Sequence, residues 1–319
     1  MKSNKKIAVV IPSYKVSKHI RDVLRSLPEF IDAVIVVDDA CPENSGNIAK
    51  ELGLEKVHII FHEKNQGVGG AVISGFKKAM ELGSDIVVKL DGDGQMDPRN
   101  IEKLIQPIID NSADYTKGNR FHDFNALRSM PKIRLFGNSL LSFAIKATSG
   151  YWNIMDPANG FCAIDSQTLH ALNLDKIEKR YFFETDMLIH LNLMNKVVQD
   201  VPIPAIYKDE ISNLSVRSVT FTFPLKILKG LFKRIFFKYY VYDFNMASIY
   251  LLIGVPFILF GVIFGIYRWT TGVMENVENN AGTIMLAALP IILGLQFLLQ
   301  AISIDIANIP KKKKNTHNL

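Results

Sequence analysis

Residues 87–98 read Val-Val-Lys-Leu-Asp-Gly-Asp-Gly-Gln-Met-Asp-Pro and hold the densest chemistry in the chain. A short apolar run leads directly into Asp91 and Asp93. If that run is a strand, residues i and i+2 point to the same side, so the two carboxylates leave its end as a pair. Like charges that close repel unless a cation or a proton lies between them. Hard oxygen ligands of this kind suit Mg²⁺ or Mn²⁺, with a substrate phosphate completing the shell. Gln95 adds a neutral oxygen, and Asp97-Pro98 has the form of a helix start, with Asp97 as N-cap and Pro98 at the first position. An EF-hand loop would also alternate Asp91, Asp93 and Gln95 and close on Glu102. It needs glycine where this chain has Met96, and a helix rather than a strand before it. A plain acidic turn is the other reading of this stretch alone.

The elements that must present this pair follow from apolar runs. Residues 7–11, 33–37, 57–61 and 86–90 are short, β-branched and apolar, as buried parallel strands are. Between them, helical spacing covers residues 20–27, 45–52 and about 68–80. Strands alternating with helices predict a mainly parallel, Rossmann-like α/β sheet. In such sheets the ligand lies at the carboxyl ends of the strands. Those ends carry Pro12 and Tyr14, Asp38-Asp39, the loop Asn65-Gln66-Gly67-Val68-Gly69-Gly70, and Asp91/Asp93. The rim is therefore polar, acidic and glycine-rich on one edge. It does not suit a dinucleotide: the first turn, Pro12-Ser13-Tyr14-Lys15, lacks glycine, and Val72 stands where the third fingerprint glycine belongs.

The 319 residues carry a formal charge of +6, concentrated at 226–238 and 311–314. The rest is nearly balanced, which argues against a nucleic-acid partner. Cys41 and Cys162 give neither a disulfide framework nor a metal spacing, as expected in a reducing compartment. His58 and His62 flank a strand and read as structural. The basic N-terminus precedes an apolar run that stops at Pro12, too short for a signal-peptide core.

Four stretches taken together resemble the family 2 glycosyltransferases of GT-A fold: Val9-Val10-Ile11-Pro12-Ser13-Tyr14, Val36-Val37-Asp38-Asp39, Asn65 to Gly70, and Asp91-Gly92-Asp93-Gly94-Gln95. Within that family the chain is most similar to the polyprenyl-phosphate glycosyltransferases, the group of dolichyl-phosphate mannose synthase. Gly118-Asn119-Arg120, residues 134–138 and Asp156-Pro157-Ala158-Asn159-Gly160-Phe161 carry that narrower likeness. Lys15-Val16 and Ala40-Cys41 depart from the family's usual Asn-Glu and Gly-Ser. The resemblance implies that Pro12, Tyr14, Asp39 and Asp91 meet the nucleotide sugar. It assigns the metal to Asp91, Asp93 and Gln95, and the acceptor's lipid phosphate to Arg120, Arg134 and Asn138. Arginine's planar fork of donors suits phosphate oxygens. Inverting members place a carboxylate near the acceptor, and in Arg180 to Leu188 either Glu184 or Asp186 answers to it. Both open a helix expected over 187–195, where acidic residues also favour the helix dipole. A strand over 197–201 follows, then a loop over 207–217, with Lys208 and Arg217, that reads either as a lid or as a plain connection.

From Pro224 the pattern changes. Leu225, Leu228, Leu231/Phe232 and Ile235/Phe236 recur at helical spacing among Lys226, Lys229, Lys233, Arg234 and Lys238. That is a basic amphipathic helix of the kind that lies on a membrane. Residues 247–267 and 282–304 are uncharged and about long enough to span a bilayer. Lys and Arg crowd the outer flanks of this pair, so both ends are expected in the cytosol. The expected organisation is a cytosolic GT-A domain over 1–220, a juxtamembrane segment over 221–245, and two transmembrane helices with a basic tail over 246–319. The expected activity is metal-dependent, inverting transfer of a sugar from a UDP- or GDP-sugar to undecaprenyl or dolichyl phosphate, and the apolar surface of the membrane end is compatible with a homo-oligomer. The alternatives are a lipid-linked oligosaccharide or polysaccharide acceptor, or a membrane protein that binds sugar nucleotides without turnover.

Overall fold

A computed structural model of the chain describes residues 5–122, 132–204 and 216–312, the side chains of 132–136, 138 and 216–221 excepted. It forms two compact units, Met1–Leu231 with Pro310–Leu319, and Phe232–Ile309.

The first unit is built on a sheet of 7 strands in the order β3-β2-β1-β4-β6-β5-β7. The strands β1 (Ile7–Ser13), β2 (Ala33–Asp38), β3 (Val57–Phe61) and β4 (Ile86–Lys89) lie where the apolar runs predict them. They pair in parallel, β1 with β2 and β4, and β2 with β3. Strands β1, β2 and β4 are covered on both faces, which is why they read as unbroken apolar runs. The edge strand β3 is half-buried rather than buried. Beyond β4 come β5 (Tyr115–Asn119), β6 (Cys162–Asp165) and β7 (Val198–Pro202). Strand β6 runs antiparallel to both β4 and β5, whereas β5 and β7 are parallel. The sheet is thus mainly parallel with one reversed strand.

Helices α1 (Ile20–Arg25), α2 (Ser45–Lys50), α3 (Val68–Glu81) and α4 (Ile101–Ile109) follow the first four strands. A 3₁₀ turn, Pro98–Asn100, precedes α4, and Asp97 caps it by accepting the Arg99 N–H at 3.0 Å. Helix α3 lies hard against the sheet: a Cβ on Gly75 would stand 2.2 Å from Val10 Cγ1. Later come α5 (Lys132–Ser149), α6 (Ser166–Ala171), α7 (Phe183–Leu193) and α8 (Val216–Phe236). Helix α8 starts before the expected amphipathic helix and runs through Pro224. Within the first unit it packs through Phe223, edge-on to Phe182, and through an ion pair of Lys226 with Glu178 at 3.0 Å.

The second unit contains α9 (Met246–Glu275, 30 residues) and α10 (Ala281–Ala307, 27 residues). Each is long enough to cross a membrane and contains an 18-residue stretch of high mean hydropathy, 2.6 in α9 and 2.1 in α10. Both outrun the uncharged spans, α9 to Arg268 and Glu275, α10 to Asp305. Asp305 is buried and takes two bonds from Arg234, at 2.7 and 3.1 Å, and one from the Tyr239 hydroxyl. Tyr239 belongs to a π-helical turn, Phe237–Tyr242, that follows α8.

Candidate active site

The carboxyl ends of β1, β2 and β4 open into a cavity of about 1480 Å³. Pro12, Tyr14, Asp39, Asp91, Asp93 and Glu184 all line it. Its polar end is this strand rim. The same lining includes an apolar set, Leu140, Leu141 and Ala144 of α5 and Ile227, Leu228 and Leu231 of α8.

On the rim near β2, two neighbouring carboxylates have separate tasks. Asp38 accepts the amides of Cys41 and Gly46, each at 2.7 Å, and so shapes the loop after β2. Asp39 reaches the glycine-rich loop, accepting the Gln66 and Gly67 N–H groups at 2.8 Å. His62 bridges Asp39, at 2.7 Å, to Ser74, at 2.9 Å. Gly67 adopts φ +88, and a Cβ there would lie 2.8 Å from the Lys179 carbonyl oxygen. The glycine thus lets the segment before α7 close over the loop and bring Arg180 to the cavity. The two departures from the family pattern meet in space: the Lys15 N–H donates to Cys41 Sγ at 3.1 Å. Burial opposes ionisation of Cys41, but the Ser45 hydroxyl and the amides of Ser45, Lys15 and Glu43 outweigh it and hold the thiol below its usual value.

The carboxylate pair lies just beyond β4. Asp93 accepts the Gln95 backbone N–H at 2.9 Å. Asp91 Oδ1 accepts from Lys89 Nζ at 2.7 Å. Among the described residues no group of three or more His, Cys, Asp or Glu side chains converges on one point. Among the described residues the carboxylates beside one another in sequence here are Asp91 and Asp93. Such a pair suits Mg²⁺ or Mn²⁺, which keep waters and take substrate phosphate beside one or two carboxylates.

Lys89 is the residue that the spacing of carboxylates does not reveal. Its side chain is 1% exposed, and it also meets Glu184 Oε1 at 3.3 Å and the Gly160 carbonyl at 3.2 Å. Burial works to lower its pKa, but Asp91 and Glu184 prevail and hold it above the usual lysine value. Its position inside an apolar run, directly before the carboxylate pair, is the signal that sequence offers. On β5, Lys117 is equally buried and donates to the Asn159 carbonyl at 2.6 Å. Burial, the main cause, pushes its pKa down.

Helix α7 begins earlier than its expected start, which puts Glu184 and Asp186 in its first turn. The two then part company. Glu184 lines the cavity, whereas Asp186 is buried and accepts the Glu178 N–H at 2.9 Å. Arg120 forms a forked pair with Asp156, Nε at 2.7 Å and a terminal nitrogen at 3.2 Å. Arg134 and Asn138 belong to the first turns of α5, and their side chains lie outside the described residues, as does the Arg217 side chain. Residues 207–215, most of the expected loop, also lie outside them.

The family described as "Glycosyl transferase family 2" matches residues 8–172. The chain belongs to this family. It is a glycosyltransferase, and its sheet is that of the GT-A fold. The UDP-N-acetylglucosamine–dolichyl-phosphate N-acetylglucosaminyltransferase of Methanococcus voltae is 37% identical over 222 residues, 65% of this chain and 88% of that protein. The undecaprenyl-phosphate mannosyltransferase of Micrococcus luteus is 29% identical over 209 residues, 64% of this chain and 85% of that protein. Two solved structures share the fold. Mannosyl-3-phosphoglycerate synthase of Rubrobacter xylanophilus has a TM-score of 0.55 at 13% identity, over 76% of this chain and 77% of its own. Glucosyl-3-phosphoglycerate synthase of Mycobacterium tuberculosis, solved with Mn²⁺, UDP and glucosyl-3-phosphoglycerate, scores 0.51 at 17% identity, over 72% and 80%.

Proposed function

We propose that this family 2 glycosyltransferase moves a sugar from a nucleotide diphosphate sugar to a polyprenyl phosphate, with inversion, on the cytosolic face of a membrane. One observation carries the reading: a single cavity joins a carboxylate-lined polar end to an apolar wall. A phosphate with a long hydrocarbon tail needs both. The names of the relatives support the same acceptor class.

In this reading Pro12, Tyr14 and Asp39 border the nucleoside. Asp91 and Asp93, with Gln95 beside them, would hold Mg²⁺ or Mn²⁺, which would offset charge building on the departing diphosphate. An acceptor phosphate oxygen attacks the anomeric carbon as the bond to the diphosphate breaks. A phosphomonoester is already largely ionised at neutral pH, so no strong base is required. Glu184, the carboxylate that faces the cavity, orients the reactants, while Asp186 fixes the turn before α7. Arg120, held by Asp156, and Arg134 and Asn138 are assigned to the acceptor phosphate. Residues 1–220 form the catalytic part, 221–245 the juxtamembrane segment and 246–319 the membrane anchor. Leu225, Leu228, Phe232 and Phe236 expose the apolar stripe that would enter the lipid interface.

The acceptor reading is tested with prenyl phosphates of rising chain length. Catalytic efficiency should rise with length, and Ala144→Trp, which fills the apolar wall, should abolish that dependence while leaving donor affinity intact. Equal efficiency for short and long chains would remove the lipid tail from the account.

A further inference from the structure

A lysine inside a sheet has to be held by partners, because an unpaired buried charge is costly. Lys89 stands opposite Val10 of β1 and Cys162 of β6 in the strand register. An ammonium has three hydrogens to donate. Here three acceptors surround it: Asp91 Oδ1 at 2.7 Å, the Gly160 carbonyl at 3.2 Å and Glu184 Oε1 at 3.3 Å. These belong to three separate parts of the chain: the end of β4, the loop before β6, and the first turn of α7. Two of them are the carboxylates assigned above to the donor side and the acceptor side.

The loop is gripped twice. Lys117 holds the Asn159 carbonyl while Lys89 holds that of Gly160. A Cβ on Gly160 would lie 2.4 Å from Lys89 Nζ and 2.5 Å from Asp91 Oδ2. The peptide therefore approaches the ion pair more closely than any other residue would permit. Two hydrogen bonds, to Asp91 and Gly160, and an ion pair with Glu184 hold Lys89 in place.

We infer that Lys89 is a positioning residue that ties Asp91 to Glu184, fixing the donor-side carboxylate at a set distance from the acceptor-side one. This rests on the roles proposed for those two residues. It makes metal affinity and turnover depend on one buried ammonium through the two carboxylates it holds.

Lys89→Met removes the charge and keeps the length. Three quantities are compared between wild type and variant: Mn²⁺ affinity by electron paramagnetic resonance, kcat and KM for transfer, and thermal unfolding. The inference expects a folded variant whose Mn²⁺ affinity falls about tenfold or more, as loss of a group that orients a metal ligand does. It expects kcat to fall as well. It also expects Glu184→Gln to cost far less in the Lys89→Met background than in wild type, because the two residues act as a unit. A purely structural lysine would lower the unfolding temperature and leave Mn²⁺ affinity unchanged. That result, or additive effects of the two substitutions, would overturn the inference, as would a wild type that does not bind Mn²⁺. If Lys89→Met does not fold, Glu184→Gln and the double variant, which removes one charge of each sign, are compared instead. Because the two residues act as a unit, Glu184→Gln alone should lower Mn²⁺ affinity and the added Lys89→Met should change it little; unchanged affinity in Glu184→Gln, or a further loss of about tenfold in the double variant, overturns it equally. Failure of the acceptor reading shows separately, as a wild type that binds Mn²⁺ but labels no prenyl phosphate.

Discussion

At the scale of single residues, the site depends on groups that hold other groups. Asp93→Ala removes one of the two carboxylates proposed to hold the metal, and transfer should fall roughly 100-fold or more with the fold retained. Steady-state kinetics and a circular dichroism spectrum check both parts. Gly160→Ala pushes a methyl into Lys89 and Asp91, and a displacement of that size near reacting atoms should cost roughly 100-fold in kcat. Asp200 on β7 gives a pH signature. It accepts the Met155 N–H at 2.6 Å and the Asn119 side-chain amide at 3.1 Å, both on Oδ2, while Oδ1 is buried without a partner. Burial, reinforced by nearby Asp156, pushes its pKa up to about 6. A raised carboxyl pKa means that the folded state prefers the proton. The associated stability is fully present below the ordinary carboxylate range and is lost as pH rises through about 6. Asp200→Asn should therefore raise stability at pH ~7.5 by up to about 2 kcal/mol and flatten its dependence across this window. Denaturant melts at several pH values measure this, and an unchanged slope would contradict it. Asp91 and Asp93 were legible as an acidic pair directly after an apolar run, but β4 ends at Lys89, so the turn beyond it and not the strand period sets their directions. Lys89 and Lys117 were not, because partners remote in sequence (Glu184, Gly160, Asn159) make their burial possible.

At the scale of elements, strands β1, β2 and β4 were legible as unbroken apolar runs because helices cover both faces. Strand β5, Tyr-Thr-Lys-Gly-Asn, was not: Lys117 and Thr116 are buried there through bonds to carbonyls of Asn159 and Leu104. Strand β6 has 4 residues, too short to show a period. It runs antiparallel to both β4 and β5, a direction that local pattern does not encode. Helix α7 starts at Phe183 rather than 187, and that shift carries Glu184 into the cavity and Asp186 into the turn before it. In the second unit, the end of α10 was read as uncharged up to 304, and Asp305 lies one residue beyond. Breaking a buried ion pair by removing one partner strands the other charge, at about 3 kcal/mol. Asp305→Asn should thus lower the detergent-solubilised protein's melting temperature more than Lys77→Ala, which breaks an exposed pair with Asp175. Equal shifts in the two variants would mean that Arg234 and Asp305 contribute no more than a surface pair.

At the scale of the whole molecule, the account joins a carboxylate-rimmed cavity, an apolar wall, an amphipathic helix and two helices long enough to cross a membrane. Each has a separate physical reason, and a sugar transferred to a lipid phosphate uses all of them. The most direct measurement supplies the purified protein with undecaprenyl phosphate or dolichyl phosphate and a panel of labelled UDP- and GDP-sugars. Mn²⁺ or Mg²⁺ is present in one series and a chelator in the other. The account predicts a labelled lipid with at least one donor, lost on chelation and in Asp93→Ala. Nucleotide released from a donor with no label on either prenyl phosphate would contradict it, and would move the acceptor to another class of molecule.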